Sequence, residues 1–322
     1  MRIVFRADAN PFIGTGHVMR LLPIAIEAVD RGHECIFLGK VYRVQWLENL
    51  IRNIGFSRVV EVESDLRINA LESILVIDSY TIPINDTYCF SNVWKYRVVI
   101  HDGSTPPYPT NLVLAPSVEV IPSENFNVPV LSGPDYIPIR KSIVKLKPDV
   151  VTNTSPSLLV VGGGSDPFQF CSAMAAELDK LEQTLNVVFI SNQVIKSENG
   201  KVFRTYPIGA HLDLLASEAS HALCTASTTS IEFIAKELPI GVVCTTQNQE
   251  NLYNQLSSAG LAIPIGRYSE EYGWTFDLTK LTDFLFSSET RIALSQKYKN
   301  LIDLRGSWRI LNFIEDALLN LD

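Results

Sequence analysis

The sequence predicts an α/β protein made of two doubly wound parallel sheets. Three observations predict it. Short apolar, β-branched runs alternate with amphipathic segments along the chain; a charged and then Ser/Thr/Pro-rich stretch interrupts the alternation near residue 145; the alternation then begins again. At 322 residues the chain exceeds what one core commonly serves, so two domains of roughly 150 residues are expected.

The elements follow in order. Strand-like runs in the first half are "RIVFRA", "ECIFLG", "RVVEVE", "ILVIDS", "YRVVIHD" and "NLVLAP". Helical patterns separate the early ones: "HVMRLLPIAIEAVDRG", then "YRVQWLENLIRNIG", which sets Val44, Leu47, Leu50 and Ile51 on one face. The segment "IRKSIVKLKPDVVTNTSPS" reads as a linker. Beyond it come "SLLVVGG", helix "QFCSAMAAELDKLEQ", "NVVFIS", "KVFRTYP", helix "LDLLASEA", "HALCTA", helix "SIEFIAKE", "IGVVCTT" and helix "QENLYNQLSSAG". A long helical tail is expected from about Leu281 onward. The expected organisation is therefore an N-terminal domain over 1–145, a second over 146–305, and a C-terminal helix over 306–322 packing back on the first. Two such domains leave a cleft, and ligands of open α/β sheets bind beyond the carboxyl ends of the strands.

Composition narrows the function classes. An apolar fraction of 46% with 19% charged residues fits a globular protein with ample core. A formal charge of −8 with 27 basic residues argues against a nucleic-acid binder, which would carry a basic face. No run approaches the roughly 18 apolar residues of a spanning helix, so no stable membrane insertion is expected. Met1 and Arg2 lead straight into a strand rather than a signal-peptide core. The five cysteines are scattered, without a CxxC or a histidine cluster. Neither disulfide, metal nor other cofactor is expected, and a cytoplasmic protein is the natural reading.

Chemistry is sought at the strand ends. In "LLVVGGGSDPFQF" an apolar strand runs into Gly162, Gly163 and Gly164, then Ser165 and Asp166 at a helix start. Glycines admit a ligand close to the backbone, and free N–H groups there suit an anion such as a diphosphate. The motif lacks the GK[ST] ending of a Walker loop and the spacing of GxGxxG. A tight turn capped by Ser165 or Asp166 is the plainer alternative. "TASTTSIEF" offers the hydroxyls of Ser227, Thr228 and Thr229. Glu232 in the following helix suits a ribose diol or, more simply, the helix dipole. Asn248 and Gln249 suit sugar hydroxyls or turn capping. In the first half Asp8 ends a strand, Gly14 and Gly16 bracket a turn, and His17 opens a helix with Arg20 one turn on. His17 is either a general base or a helix cap. "LVIDSYTI" adds Asp78, Ser79 and Tyr80, and "VVIHDGS" adds His101 and Asp102; either aspartate can orient a histidine or cap its own turn. A GxSxG nucleophile elbow, which a hydrolytic triad would need, is absent.

Taken together, "FRADANPFIGTGHVMRLLPIA", "ILVIDSY", "VVIHDGS", "LSGPDYIPIRKSI", "LLVVGGGSDP", "TASTTSIEFIAKELP" and "QNQENLYNQLSSAG" resemble, in order, the family containing UDP-2,4-diacetamido-2,4,6-trideoxy-β-L-altropyranose hydrolase and related spore-coat polysaccharide proteins. The ending "DLRGSWRILNFI" is similar to the family's DGxGxxRI, with Leu304 in place of the first glycine. The resemblance implies a GT-B-like pair of Rossmann-like domains and a UDP-linked sugar as the small-molecule substrate. It implies His17 as base, with Tyr80 and Asp8 beside it, and Gly14, Gly16, Arg20, Asp78, Asp102, Gly163, Gly164, Ser165, Ser227, Thr228, Thr229, Glu232, Asn248 and Gln249 around the substrate. Water would attack C1 with inversion and release UDP, in a pathway of the pseudaminic-acid type. The chain departs from the family at Ser79, where a histidine is common, and at His101, where an acid is common. Both departures fall on the sugar side. A glycosyltransferase with the same donor, or a non-catalytic nucleotide-sugar-binding subunit, are the alternative readings.

Overall fold

The computed structural model describes residues 1–61, 68–80, 82–83, 86, 89–90, 93–101, 109–146, 148 and 157–320. Asp102 and most of the Ser/Thr/Pro-rich part of the expected linker lie outside them. The chain divides into two compact units: Met1–Ile139 with Asp303–Asp322, and Arg140–Ile302.

In the first unit the elements are β1 (Arg2–Arg6), α1 (Gly16–Asp30), β2 (Glu34–Leu38), α2 (Gln45–Arg52), β3 (Arg58–Val60), β4 (Ser73–Asp78), β5 (Tyr96–Ile100), β6 (Leu112–Ala115) and β7 (Val130–Ser132). They form one sheet of order β3-β2-β1-β4-β5-β6-β7, each pairing parallel. Parallel strands buried on both faces need apolar residues at every position, which explains the unbroken runs. Ile3 and Phe5 face the core that α1 covers, while Val4 faces a second cluster with Ile36, Leu75, Ile77, Cys89 and Trp94.

The second unit repeats the plan with β8 (Ser157–Val161), α3 (Phe170–Lys180), β9 (Asn186–Ile190), β10 (Val202–Tyr206), α4 (Leu212–Glu218), β11 (His221–Thr225), α5 (Thr228–Ala235), β12 (Ile240–Cys244), α6 (Glu250–Ser258), β13 (Ile263–Ser269), β14 (Gly273–Phe276), α7 (Leu278–Phe286) and α8 (Ser288–Tyr298). Its sheet order is β10-β9-β8-β11-β12-β13-β14, parallel except for the antiparallel β13–β14 hairpin. The last helix, α9 (Gly306–Leu319), returns to the first unit. There Ile310, Leu311, Ile314 and Leu318 join the core under α1.

The tail expected as one helix is three. Ser287 ends α7 and caps α8, its hydroxyl accepting from the Thr290 amide at 3.1 Å. Asn300 and Leu304 then take left-handed backbone conformations (φ 61° and 64°), which no helix continues through. The β13–β14 hairpin is an addition to the expected elements. All five cysteines are buried free thiols. Among the described residues no helix is long and apolar enough to cross a membrane.

Candidate active site

In both sheets the strand order reverses direction once, between β1 and β4 in the first and between β8 and β11 in the second. Doubly wound sheets bind ligands at the carboxyl side of such a switch point, where successive loops part to opposite faces. Most of the described candidate residues follow the strands that flank these two places, while Asn248 and Gln249 follow β12.

At the first, β1 leads through a tight loop into α1. The Asn10 side chain accepts from the amides of Phe12 (2.8 Å) and Ile13 (2.9 Å), and the Gly14 amide closes on the Asn10 carbonyl. Gly14 has φ 81°, which a side chain would disfavour. The loop delivers His17 to the first turn of α1, 7% exposed. Register pairs Arg6 of β1 with Ile77 of β4, so Asp78 stands one residue beyond, at the switch point. There the fully buried Asp78 carboxylate meets His17 Nδ1 at 2.6 Å. Arg20, one turn along α1, donates Nε to the other Asp78 oxygen at 2.8 Å and Nη2 to the shared one at 2.7 Å.

Burial opposes the charge on Asp78, but Arg20 and His17 outweigh it, holding its pKa below the usual carboxylate range. Arg20 follows the same pattern in reverse: burial works against its charge, and Asp78 with Tyr80 more than restores it. An ionised Asp78 has no proton to give, so the 2.6 Å contact requires the proton on His17 Nδ1. In the neutral imidazole the lone pair is then on Nε2, so that form is a base of fixed tautomer. Arg20 Nη2 also lies 3.2 Å from Nδ1. Because both atoms carry hydrogen in this tautomer, that approach is a packing contact only. The Tyr80 ring sits edge-on to His17, with centroids 4.7 Å apart, and faces His101 at 6.3 Å.

Asp8 stands apart from this group. Its carboxylate is bound by Arg6 (2.6 and 2.8 Å) and by the Lys40 amide (2.8 Å), so its described hydrogen bonds fix the loops rather than the imidazole. The aspartate on His17 is Asp78. Asp78, read in the sequence both as able to orient a histidine and as a substrate contact, bonds to His17 and Arg20, and Arg20, expected as a substrate contact, donates to Asp78.

At the second switch point β8 and β11 are paired, Val161 with Cys224, so their following turns are neighbours. An added Cβ on Gly163 would lie 3.6 Å from Thr225 Oγ1. Asp166 curls back over Gly162, where a Cβ would come 2.3 Å from its carboxyl carbon, and accepts from the amides of Phe170 (2.8 Å) and Cys171 (3.1 Å). The first amides of α3 are thus capped by the chain's own carboxylate, and any anion held here must use the turn at 163–165 instead. Ser227 precedes α5, where its amide donates to Ser230 Oγ at 3.3 Å; Thr228 and Thr229 open that helix.

Glu232 is 3% exposed and accepts two hydrogen bonds from Arg140, Nε at 2.6 Å and Nη2 at 2.7 Å. A bidentate guanidinium stands where a ribose or the helix dipole was the expected partner. Lys236, one turn further and fully buried, donates to the carbonyls of Ile143 and Leu146. Gln249 accepts from the Thr245 amide and hydroxyl, and Asn248 from the Thr246 hydroxyl, the capping alternative for both. Arg140 carried no local signal of its role, since its partner is 92 residues away.

No family model matches the chain. A curated relative, UDP-2,4-diacetamido-2,4,6-trideoxy-β-L-altropyranose hydrolase of Campylobacter jejuni, is 20% identical over 276 residues, covering 82% of this chain and 98% of that protein. The crystal structure of Acinetobacter baumannii MurG aligns over 98% of this chain and 99% of its own with TM-score 0.63 and 14% identity. CalG4, the calicheamicin glycosyltransferase, aligns over 99% and 98% with TM-score 0.65 and 12% identity. The fold is GT-B. Within the GT-B fold each unit is a Rossmann-like sheet, and in this chain both switch points carry polar side chains.

Proposed function

We propose that the chain is an enzyme acting on a UDP-linked sugar, and that it hydrolyses it. The observation that carries the reading is the Asp78–His17 pair, a base whose proton-accepting nitrogen is set by a buried carboxylate. His17 Nε2 takes a proton from water as the water oxygen bonds to the anomeric carbon. The C1–O bond to the diphosphate breaks, its electron pair leaves with UDP, and the configuration at C1 inverts. Within the second unit, taken by itself, the backbone N–H groups of 163–165 and the hydroxyls of Ser227, Thr228 and Thr229 are of the kind suited to a diphosphate's charge. A positioned base contributes about 10²–10⁴-fold, so orientation and leaving-group stabilisation supply the remainder. The likeness to the Campylobacter hydrolase supports a deoxy, acetamido-type hexose; a role in surface-glycan synthesis of the nonulosonic-acid kind is part of the same proposal. The chain's action in the cytoplasm belongs to the same reading.

The test uses purified protein, a panel of UDP-sugars and water labelled with ¹⁸O, without acceptor. Release of UDP with the label in the free sugar, abolished by His17→Ala, is the expected result. Absence of binding to any UDP compound would overturn the nucleotide assignment.

One observation favours glycosyl transfer as a second reading. Phe12 is 93% exposed on the loop leading to His17, Tyr42 is 50% exposed after β2, and Tyr80 is 40% exposed after β4. Exposed aromatic side chains on these strand-end loops suit a large acceptor whose hydroxyl would replace water. Release of UDP only when a glycan or lipid acceptor is added, with no label in the sugar, would select it.

A further inference from the structure

We infer that Arg20 is a positioning residue for the base and not a ligand of the substrate's diphosphate, an inference that rests on the reading of His17 as that base. A guanidinium near a helix start ordinarily reads as a phosphate binder. Here its hydrogen-bonding edge is turned inward. Nε and Nη2 form a two-pronged contact with Asp78, at 2.8 and 2.7 Å, in the planar geometry that fits a carboxylate. The fork fixes the plane of the carboxyl group. It leaves Oδ1 pointing at His17 Nδ1, which is where a proton must sit for the 2.6 Å contact to form.

The side chain is held from several elements. Asp78 comes from β4, His17 lies on the same helix one turn back, and the Tyr80 side chain interacts with the guanidinium from the segment after β4. Its side chain is 22% exposed and that of Asp78 1%, so the pair is largely removed from water. Without Arg20, Asp78 is a buried carboxylate with His17 as its one remaining described partner. It is then free to rotate, to take up a proton, or to release Nδ1, and the imidazole proton is no longer confined to that nitrogen. The neighbouring Arg6–Asp8 pair is closed on itself and offers no substitute. Arg20 thus sets which nitrogen of His17 is the base, at one remove from the reacting atoms.

The experiment reads the tautomer directly and needs no substrate. Protein with ¹⁵N-labelled histidine is examined by long-range ¹H–¹⁵N NMR at mildly alkaline pH, with the His17 signals assigned by their loss in His17→Gln. The wild type is expected to show Nδ1 protonated and Nε2 bare. Arg20→Gln is expected to give a mixture of tautomers, and Arg20→Lys, which keeps the charge but not the fork, an intermediate one. If an active UDP-sugar is in hand, Arg20→Gln should lower kcat by about tenfold to a hundredfold, as loss of an orienting partner does for metal-bound histidines. KM and UDP affinity should hold. A wild-type His17 protonated on Nε2 overturns the inference whether or not any variant folds. So does a folded Arg20→Gln with an unchanged tautomer, and UDP binding weakened more than about tenfold, or 1.4 kcal/mol, would assign the guanidinium to the diphosphate instead. A correct tautomer in a protein that cleaves no UDP-sugar would count against the hydrolase reading and leave this inference standing.

Discussion

At the residue scale, Asp78 and His17 act as one group. Asp78→Asn replaces an acceptor with an amide that can donate to Nδ1, so the imidazole turns its proton to Nε2 and ceases to be a base. On the proposed reading the expected loss is about 10⁴-fold in kcat with UDP affinity unchanged, by analogy with the same substitution in a serine-protease triad. Steady-state kinetics beside a UDP-binding titration checks it. His221 makes a different prediction. Burial, reinforced by the charge of Arg291, pushes its pKa down to about 3, while an exposed histidine titrates near about 6.5. Between these values the unfolded chain takes up a proton that the native chain refuses, so stability falls as pH drops, by up to about 1.4 kcal/mol per unit. Urea unfolding at neutral and mildly acid pH should show a smaller acid loss in His221→Asn than in the wild type. Leu304 stands where the resembled family has glycine, and its backbone keeps φ 64°. Leu304→Gly should therefore be more stable than Leu304→Ala by about 1–2 kcal/mol, read from paired denaturation curves. The candidate residues were visible one by one as strand-end groups. That His17 meets Asp78, one of two aspartates read as able to orient a histidine, is undecided in the sequence, because a pairing 61 residues apart settles it and no local pattern encodes that register.

Elements were more legible than their ends. The β-branched runs became buried parallel strands because a sheet covered on both faces tolerates little else. The hairpin of β13 and β14 escaped notice because Pro264, Gly266 and the run "SEEYGW" break the apolar pattern, and packing supplies what the pattern lacks. Trp274 stacks on Phe276 at 5.4 Å and donates its indole N–H to the Phe168 carbonyl at 2.8 Å. The return of α9 depends on a close backbone approach. A Cβ on Gly306 would stand 2.1 Å from the Ile137 carbonyl oxygen. Beyond it, Arg31 donates to Asn312 (2.8 Å) and Glu315 (2.9 Å), and His33 pairs with Glu315 at 2.8 Å. Gly306→Ala should displace the helix and cost more than about 2 kcal/mol, as other backbone clashes and overpacked sites do. Thermal unfolding monitored by Trp308 fluorescence measures it.

At the scale of the whole molecule, the two units differ in how the chain composes them. Residues 140–302 form a continuous segment with its own sheet, whereas the first unit needs 1–139 and 303–322 together. Expressed alone, 140–302 should unfold cooperatively in urea, since a continuous domain with its own core is self-sufficient. The fragment 1–139 should not, until a peptide spanning 303–322 is added, because it leaves bare the core that Ile310, Leu311 and Ile314 fill. A cooperative transition in 1–139 by itself would refute this.

The return of α9 also orders events during synthesis. Domains fold as the ribosome releases them, ordinarily from the N-terminus onward. Here the first unit begins before the second and is completed after it, for its closing helix α9 follows residues 140–302 in the chain. His17, the proposed base, is therefore lodged in a unit that finishes assembling only after residues 140–302 have been made. A prematurely terminated chain would hold an intact second unit beside an unfinished first one and, with His17 as the proposed base, would have no means of cleaving the sugar.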